Sequence, residues 1–372
     1  MLNVLSLFSG IGAFEKALEN LNISYNLVGY CEIDQFASKA YALIHNVPES
    51  MNYGDITKID EKAITTPLDL ITYGFPCQDI SRAGKEKGLF DENGNKTRSG
   101  LFFDALRIIE ATKPKIAIAE NVKNLVGKKF KEQFEIVLHS LEEAGYNNYW
   151  QVLNSRDYGM PQLRERVFII SIRRDIDDGT FTFPEPFRLT KCLGDYLDPF
   201  VDEKYYLSEE KLRKITYSKF NQERNMIQEP GGVCNTLLAR DYKDPKCVRV
   251  LMNEDKTCIQ IADLHYYQYD TMNRVYSPEG LCPTIRTVSG GNGQAKVLLE
   301  ERVRQITERE YLRLMGFSDK DVDVLIDNGF SKTQMYKMAG NSIVVNVLEC
   351  LFSRLYKTDR VADLKKRILE IL

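Results

Sequence analysis

Apolar positions along the chain fall into two patterns. Unbroken runs of strand length recur at "NVLSLF" (3–8), "YNLVGYCEID" (25–34), "LDLITYGF" (68–75), "PKIAIAEN" (114–121) and "ERVFIISIRR" (165–174). Between them, "AFEKALENL" (13–21), "SGLFFDALRIIEATK" (99–113) and "FKEQFEIVLHSLEEAGY" (130–146) show helical spacing. In the last of these, Phe134, Val137, Leu138 and Leu141 share one face, and Gly145 is a fit stop. Continuous apolar strands alternating with helices predict an α/β fold, a mostly parallel sheet with helices on both faces.

From about residue 185 the pattern breaks. Prolines cluster in "FPEPF", tyrosines and polar residues increase, and short strand-like pieces alternate with turn signals. Two pieces of this region, "CNTLLARDYKDPKCV" (234–248) and "CPTIRTVSGGNGQAKVL" (282–298), align Cys234 with Cys282 and Thr236 with Thr284. They read as two strand–turn–strand units that could pack together, or as a coincidence of turn-rich composition. After 300 the pattern is helical again. "TEREYLRLMGF" is an amphipathic helix with Thr307 as candidate cap, and "AGNSIVVNVLECLFSRLYK" is apolar enough to pack against the first region. The expected organisation is 1–184, a first domain; 185–300, a smaller mainly β or irregular domain; and 301–372, helices returning to the first.

Length and composition narrow the class. At 372 residues the chain exceeds one ordinary core. No apolar run reaches membrane-spanning length and no basic leader opens the sequence, which predicts a cytosolic protein. The net charge of −3 says nothing about a polyanion partner, although residues 204–298 carry 14 Lys and Arg against 11 Asp and Glu. None of the eight cysteines is spaced as CxxC, so neither a zinc site nor a disulfide framework is expected.

The chemistry gathers where the predicted strands end, which is where open parallel sheets bind ligands. The first strand runs into "FSGIG", the second ends at Glu32, the loop "GDIT" adds Asp55, the third ends at Pro76-Cys77 and the next at Glu120-Asn121. Gly10 and Gly12 let backbone approach a ligand, Glu32 suits ribose hydroxyls and Asp55 an adenine amino group. The third glycine of a dinucleotide fingerprint is absent and Glu15 stands there, so an adenosine with a neutral or cationic tail fits better than NAD. Taken alone, "FSGIG" is equally well an ordinary turn. Cys77 at a strand end reads as a nucleophile, Glu120 as an acid able to reach a ring nitrogen, and Arg164 and Arg166 as guanidiniums for a base oxygen or phosphate. The bland alternatives are a core thiol, a surface carboxylate and two solvent-facing charges.

Taken together, "LFSGIGAFEKAL", "CEID", "GDIT", "GFPCQDIS", "SGLFFDALRII", "AENVKNL", "QLRERVFII", "TEREYLRLMGF" and "AGNSIVVNVL" resemble the C5-cytosine-specific DNA methyltransferases of bacterial and phage restriction-modification type, in order and spacing. The resemblance runs from residue 5 to about 350. It implies a Rossmann-like catalytic domain and a target-recognition domain, with S-adenosylmethionine as cofactor and no metal. It implies Cys77 attacking C6 of a flipped-out cytosine, Glu120 at N3 and the exocyclic amine, and Arg166 at O2 with Arg164 in support. Phe8, Gly10, Gly12, Glu32, Asp55, Pro76, Asn341 and Ser342 would line the cofactor site; Asn341-Ser342 could equally be the cap of the last helix. The loop 81–100, with Ser81, Arg82 and Lys85, looks like the mobile loop that closes over the base. Thr284 matches the position that holds the flipped nucleotide's backbone, and Arg240 is offered to DNA. The expected partner is double-stranded DNA bound by a monomer in the bacterial cytoplasm, with any cognate restriction endonuclease sharing the site without contact. Rival readings are the same chemistry on tRNA, a non-catalytic DNA-binding protein, and a nucleotide-dependent oxidoreductase.

Overall fold

A computed structural model describes residues 1–81, 87–217, 226–251, 260–263, 274–276, 296–297 and 301–357. The chain divides into two compact units. The first takes in Met1–Leu197, Gly231–Asp244 and the stretch from Glu308 onward; the second comprises Asp198–Pro230 and Pro245–Thr307.

The first unit is built on β1 (Leu2–Leu7), α1 (Ala13–Asn20), β2 (Tyr25–Cys31), α2 (Gln35–Ile44), β3 (Leu70–Tyr73), α3 (Phe102–Thr112), β4 (Ile116–Val122), α4 (Lys131–Glu143), β5 (Tyr146–Asn154), β6 (Gln162–Leu163) and β7 (Glu165–Arg173). Six strands form one sheet in the order β2-β1-β3-β4-β7-β5. The first four are parallel, and β7 and β5 are antiparallel additions. Alternate residues explain the unbroken apolar runs. Leu5, Leu7, Ile71, Tyr73, Ala117, Ala119, Val167 and Ile169 pack with Phe102, Ile108, Phe134 and Val137 of α3 and α4. The other set, including Val4, Leu70, Ile118 and Ile170, is equally buried, so both faces are covered. The polar residues in that set, Ser6 and Thr72, sit opposite each other in the β1–β3 ladder with hydroxyls 3.2 Å apart.

The strand β5 carries no apolar run because it lies at the sheet edge, where Trp150 is exposed. Gly145 adopts φ 99° between α4 and β5, as its role as a stop requires.

The second unit contains α5 (Glu209–Tyr217) and β8 (Ile227–Gln228). The short strand β9 (Cys234–Asn235) belongs instead to the first unit, where it pairs with β6. Then come β10 (Cys247–Leu251), β11 (Gln260–Asp263), β12 (Arg274–Tyr276), β13 (Lys296–Val297) and β14 (Glu301–Gln305). They form two three-stranded sheets, β14-β10-β8 and β11-β12-β13. The C-terminal helices α6 (Glu308–Arg313), α7 (Asp319–Asp327), α8 (Lys332–Asn341) and α9 (Val345–Leu355) return to the first unit. Phe352 of α9 meets Phe14 edge-on, Asn20 donates to Glu349 at 2.6 Å, and Lys16 reaches Asp321 at 2.7 Å.

Residues 231–244 lie in the sequence-derived second region but fold with the first unit. Their backbone is captured by the segment before β7: Cys234 N–H donates to the Pro161 carbonyl at 2.8 Å, and the Thr236 hydroxyl donates to the Leu163 carbonyl. Among the described residues, no helix is long and apolar enough to cross a membrane.

Candidate active site

The turn after β1 is the most unusual backbone in the first unit. Phe8, Gly10 and Gly12 all take positive φ, at 53°, 55° and 78°. A left-handed phenylalanine is strained, and such strain gathers at ligand sites. A Cβ at Gly10 would meet nothing within 4 Å, whereas one at Gly12 would lie 2.0 Å from His45 Nε2. Gly10 thus leaves an open cradle, and Gly12 is fixed by packing. Replacing Gly12 by alanine is expected to cost about 2 kcal/mol in backbone conformation alone. The collision with His45 adds to this, and a lowered unfolding midpoint checks it.

Glu32 closes this turn from the end of β2. Its carboxylate accepts from the backbone N–H of Gly10 at 2.9 Å and of Asp34 at 2.8 Å. Burial pushes its pKa up, against the pull of those two amides. Asp55 caps a short 3-10 turn, accepting from the Thr57 N–H and hydroxyl, and these bonds hold its pKa down. Glu15 does not enter this pocket, contrary to its place in the fingerprint spacing. It is fully buried on α1, and burial raises its pKa. The turn therefore carries no exposed acid at that position.

Cys77 stands four residues beyond β3. Its carbonyl accepts from the N–H groups of Ile80 and Ser81, at 3.0 and 2.7 Å, which curls the loop behind the thiol. Two asparagines hold that loop to the next strand. Asn121 donates to the Phe75 carbonyl at 3.0 Å, and Asn124 to the Ile80 carbonyl at 2.6 Å. Both asparagines follow Glu120 in "ENVKN", and nothing in that spacing marks them as positioning residues. Asp79 is buried and pairs with Arg98 at 3.3 Å, tying the loop to the far end of 81–100. The described part of that loop forms a hairpin in which Phe90 bridges Lys96.

Glu120 and Arg166 meet through the β4–β7 ladder. Glu120 pairs with Phe168 and Val122 with Arg166, so the two charged residues are diagonal neighbours on one face. Arg166 Nε lies 2.9 Å from Glu120 Oε1. Burial pushes the Glu120 carboxyl above its ordinary range, while Arg166 and Arg164 pull it down. Burial and then the Glu120 charge raise the Cys77 thiol, again against both arginines. Thiol, carboxyl and guanidinium thus form one electrostatic group.

Arg164 plays a different part from that of a ligand-binding guanidinium. It interrupts the strand between β6 and β7, and its N–H groups donate to the carbonyls of Leu237 (2.9 Å), Gly340 (3.1 Å) and Ser342 (2.5 Å). It is a buried clamp beside the site. Arg164→Met is expected to cost about 3 kcal/mol by orphaning these carbonyls. Chemical denaturation checks this, and a loss below about 0.5 kcal/mol, the range of an ordinary surface change, would remove the clamp role.

Ser342 is buried and follows α8, its N–H donating to Met338 and Ala339; Asn341 is the exposed last residue of that helix. The last helix, α9, is capped by Val344, so the pair ends the preceding helix and does not cap α9. Arg240 is exposed on a 3-10 turn of the first unit. Arg82, Lys85 and Thr284 lie outside the described residues.

Comparison with known proteins agrees in kind. The family model for C-5 cytosine-specific DNA methylases matches residues 2–357. Type II methyltransferase M2.ScrFI of Lactococcus lactis subsp. cremoris is 34% identical, over 96% of this chain and all of that protein (100%). Orphan methyltransferase M.SPBetaI of Bacillus phage SPbeta is 31% identical over 96% of this chain and 98% of its own. Among solved structures, the S. pombe Dnmt2 methyltransferase superposes with a TM-score of 0.64 at 22% identity, covering 96% of this chain and 99% of that one.

Proposed function

The chain belongs to the C-5 cytosine-specific DNA methylase family and is a DNA cytosine methyltransferase; from that premise we propose that it methylates C5 of a flipped-out cytosine within a short duplex DNA sequence, through a covalent bond from Cys77. The observation that carries this reading is the grouping of Cys77, Glu120 and Arg166 beside the glycine turn, at the carboxyl ends of the parallel strands.

The turn suits S-adenosylmethionine. Gly10 leaves an open cradle, the Glu32 carboxylate retains lone pairs for ribose hydroxyls, and Pro76, Asn341 and Ser342 complete the proposed lining. When bound, that cofactor supplies an electrophilic methyl group on a sulfonium. A duplex hides its base edges from a buried thiol, so the base must leave the stack. The Cys77 thiolate adds to C6, and the electron pair displaced from the ring double bond makes C5 nucleophilic. Glu120, protonated, donates at N3 and favours this addition; Arg166 holds O2. After C5 is methylated, loss of its proton to a base expels the Cys77 thiolate and restores the double bond. Ser81, Arg82, Lys85, Arg240 and Thr284 are the proposed contacts to the DNA backbone. We read the protein as a monomer that meets its DNA in the bacterial cytoplasm and needs no restriction endonuclease at hand.

Methyl transfer from labelled S-adenosylmethionine to DNA and to tRNA in parallel tests the reading, with bisulfite sequencing of the DNA. Label at cytosines sharing one short context supports it and supplies the target. Label in tRNA alone keeps the chemistry and overturns the substrate.

A further inference from the structure

His45 ends α2 directly beneath the glycine turn, and the proposed chemistry makes no use of it. Its side chain is fully buried. One ring nitrogen, Nδ1, lies 2.6 Å from Glu19 Oε1, and the other, Nε2, lies 3.1 Å from the Ile11 carbonyl. A backbone carbonyl can only accept. Glu19 presents acceptor oxygens as well: burial pushes its pKa up, but its charged and hydrogen-bonding neighbours, Lys16 among them, more than offset this. Its oxygens also take the Lys16 ammonium at 3.0 Å and the Tyr25 hydroxyl at 3.1 Å. A ring between two obligate acceptors satisfies both only with a proton on each nitrogen. Two further groups face the ring: Tyr41 of α2 packs 4.7 Å from the imidazole, and Glu15 on α1, whose pKa burial raises, lies nearby. Ile11 sits between Gly10 and Gly12 of "FSGIG", so the ring's second proton reaches the turn itself.

We propose that His45, held as an imidazolium between Glu19 and the Ile11 carbonyl, is a positioning residue that locks the glycine turn in its left-handed form and so sets the affinity for S-adenosylmethionine. The inference rests on the cofactor reading above. The phenylalanine variant His45→Phe keeps a ring in the space and removes both donors.

Calorimetric binding of S-adenosylmethionine to wild type, His45→Phe and His45→Gln tests this. The affinity of His45→Phe is expected to fall about tenfold, the value of a hydrogen bond from a charged donor. The cofactor KM should rise in step, while kcat at saturating cofactor changes far less. His45→Gln, which restores one donor, should recover part of the loss. Nitrogen-15 spectra of the three histidines should show one ring, absent from both variants, with a proton on each nitrogen. Wild-type affinity in His45→Phe, or one bare nitrogen on that ring, overturns the inference alone. Wild-type protein that binds no S-adenosylmethionine overturns the cofactor reading and this inference with it. Should His45→Phe fail to fold, Glu19→Gln keeps the ring and removes its counter-charge. Binding is expected to weaken there too, and unchanged binding overturns the proposal.

Discussion

Cys77→Ser is expected to lower kcat at least about a thousandfold, as loss of a nucleophile does elsewhere, while DNA binding and folding persist. Sulfur and oxygen differ little in size, so the loop held by Asn121 and Asn124 has no reason to move. What changes is the nucleophile. A thiol in this site already sits above its ordinary pKa because of burial and the Glu120 charge. A hydroxyl ionises far less readily and is a harder, poorer nucleophile toward C6. Single-turnover transfer of labelled methyl groups measures the loss. A serine variant at the wild-type rate would end the covalent mechanism, whatever the product.

Glu120→Gln produces the second large effect, about a hundredfold to a thousandfold in kcat/KM, the scale of general-acid assistance. Its pH dependence is the sharper test. Addition needs Cys77 as thiolate and Glu120 as acid, and both groups titrate upward of their ordinary ranges. Below the Glu120 pKa, the proton on Glu120 is secure and kcat/KM climbs with pH as thiolate forms. Between the two values, thiolate gained is matched by acid lost, and the profile is flat. Above the thiol pKa it falls. Glutamine cannot ionise, so the variant's profile should climb without a plateau until the thiol is fully ionised. The same change removes a negative charge that raises the thiol while leaving both arginines. The rate of Cys77 alkylation should therefore rise at lower pH than in wild type. A variant with the wild-type plateau would take the acid role from Glu120. Alanine is the poorer probe here, since it strands the Arg166 guanidinium in a largely buried position.

Much of this site was legible in the order of residues. Strands buried on both faces are continuous apolar runs, so β1, β3, β4 and β7 announce themselves, and the residues at their ends follow. The edge strand β5 escapes because solvent on one side breaks the run. What periodicity cannot carry is the direction of a side chain at an irregular step. Arg164 and Arg166, two apart, suggest a shared face. A break between β6 and β7 turns the first into a clamp and leaves the second on Glu120. Glu15 misleads for a related reason: spacing places it in a phosphate turn, but the helix that starts at Ala13 carries it into the core. The role of 231–244 is hidden because two residues of strand pairing leave no periodic trace. Asn121 and Asn124 look like ordinary polar neighbours until their carbonyl partners are known.

The Arg164 clamp also imposes an order in time. Its carbonyl partners lie 73, 176 and 178 positions further along the chain. A ribosome delivers Arg164 long before it delivers Gly340 and Ser342, so a growing chain holds a buried-to-be guanidinium with nothing to close on. The nucleophile, the acid and the cofactor turn are all synthesised in the first half with ties of their own, yet the clamp beside them closes only when the last helices emerge. Chains that stop before α8 should therefore carry an open clamp, and their methyl transfer is expected to fail.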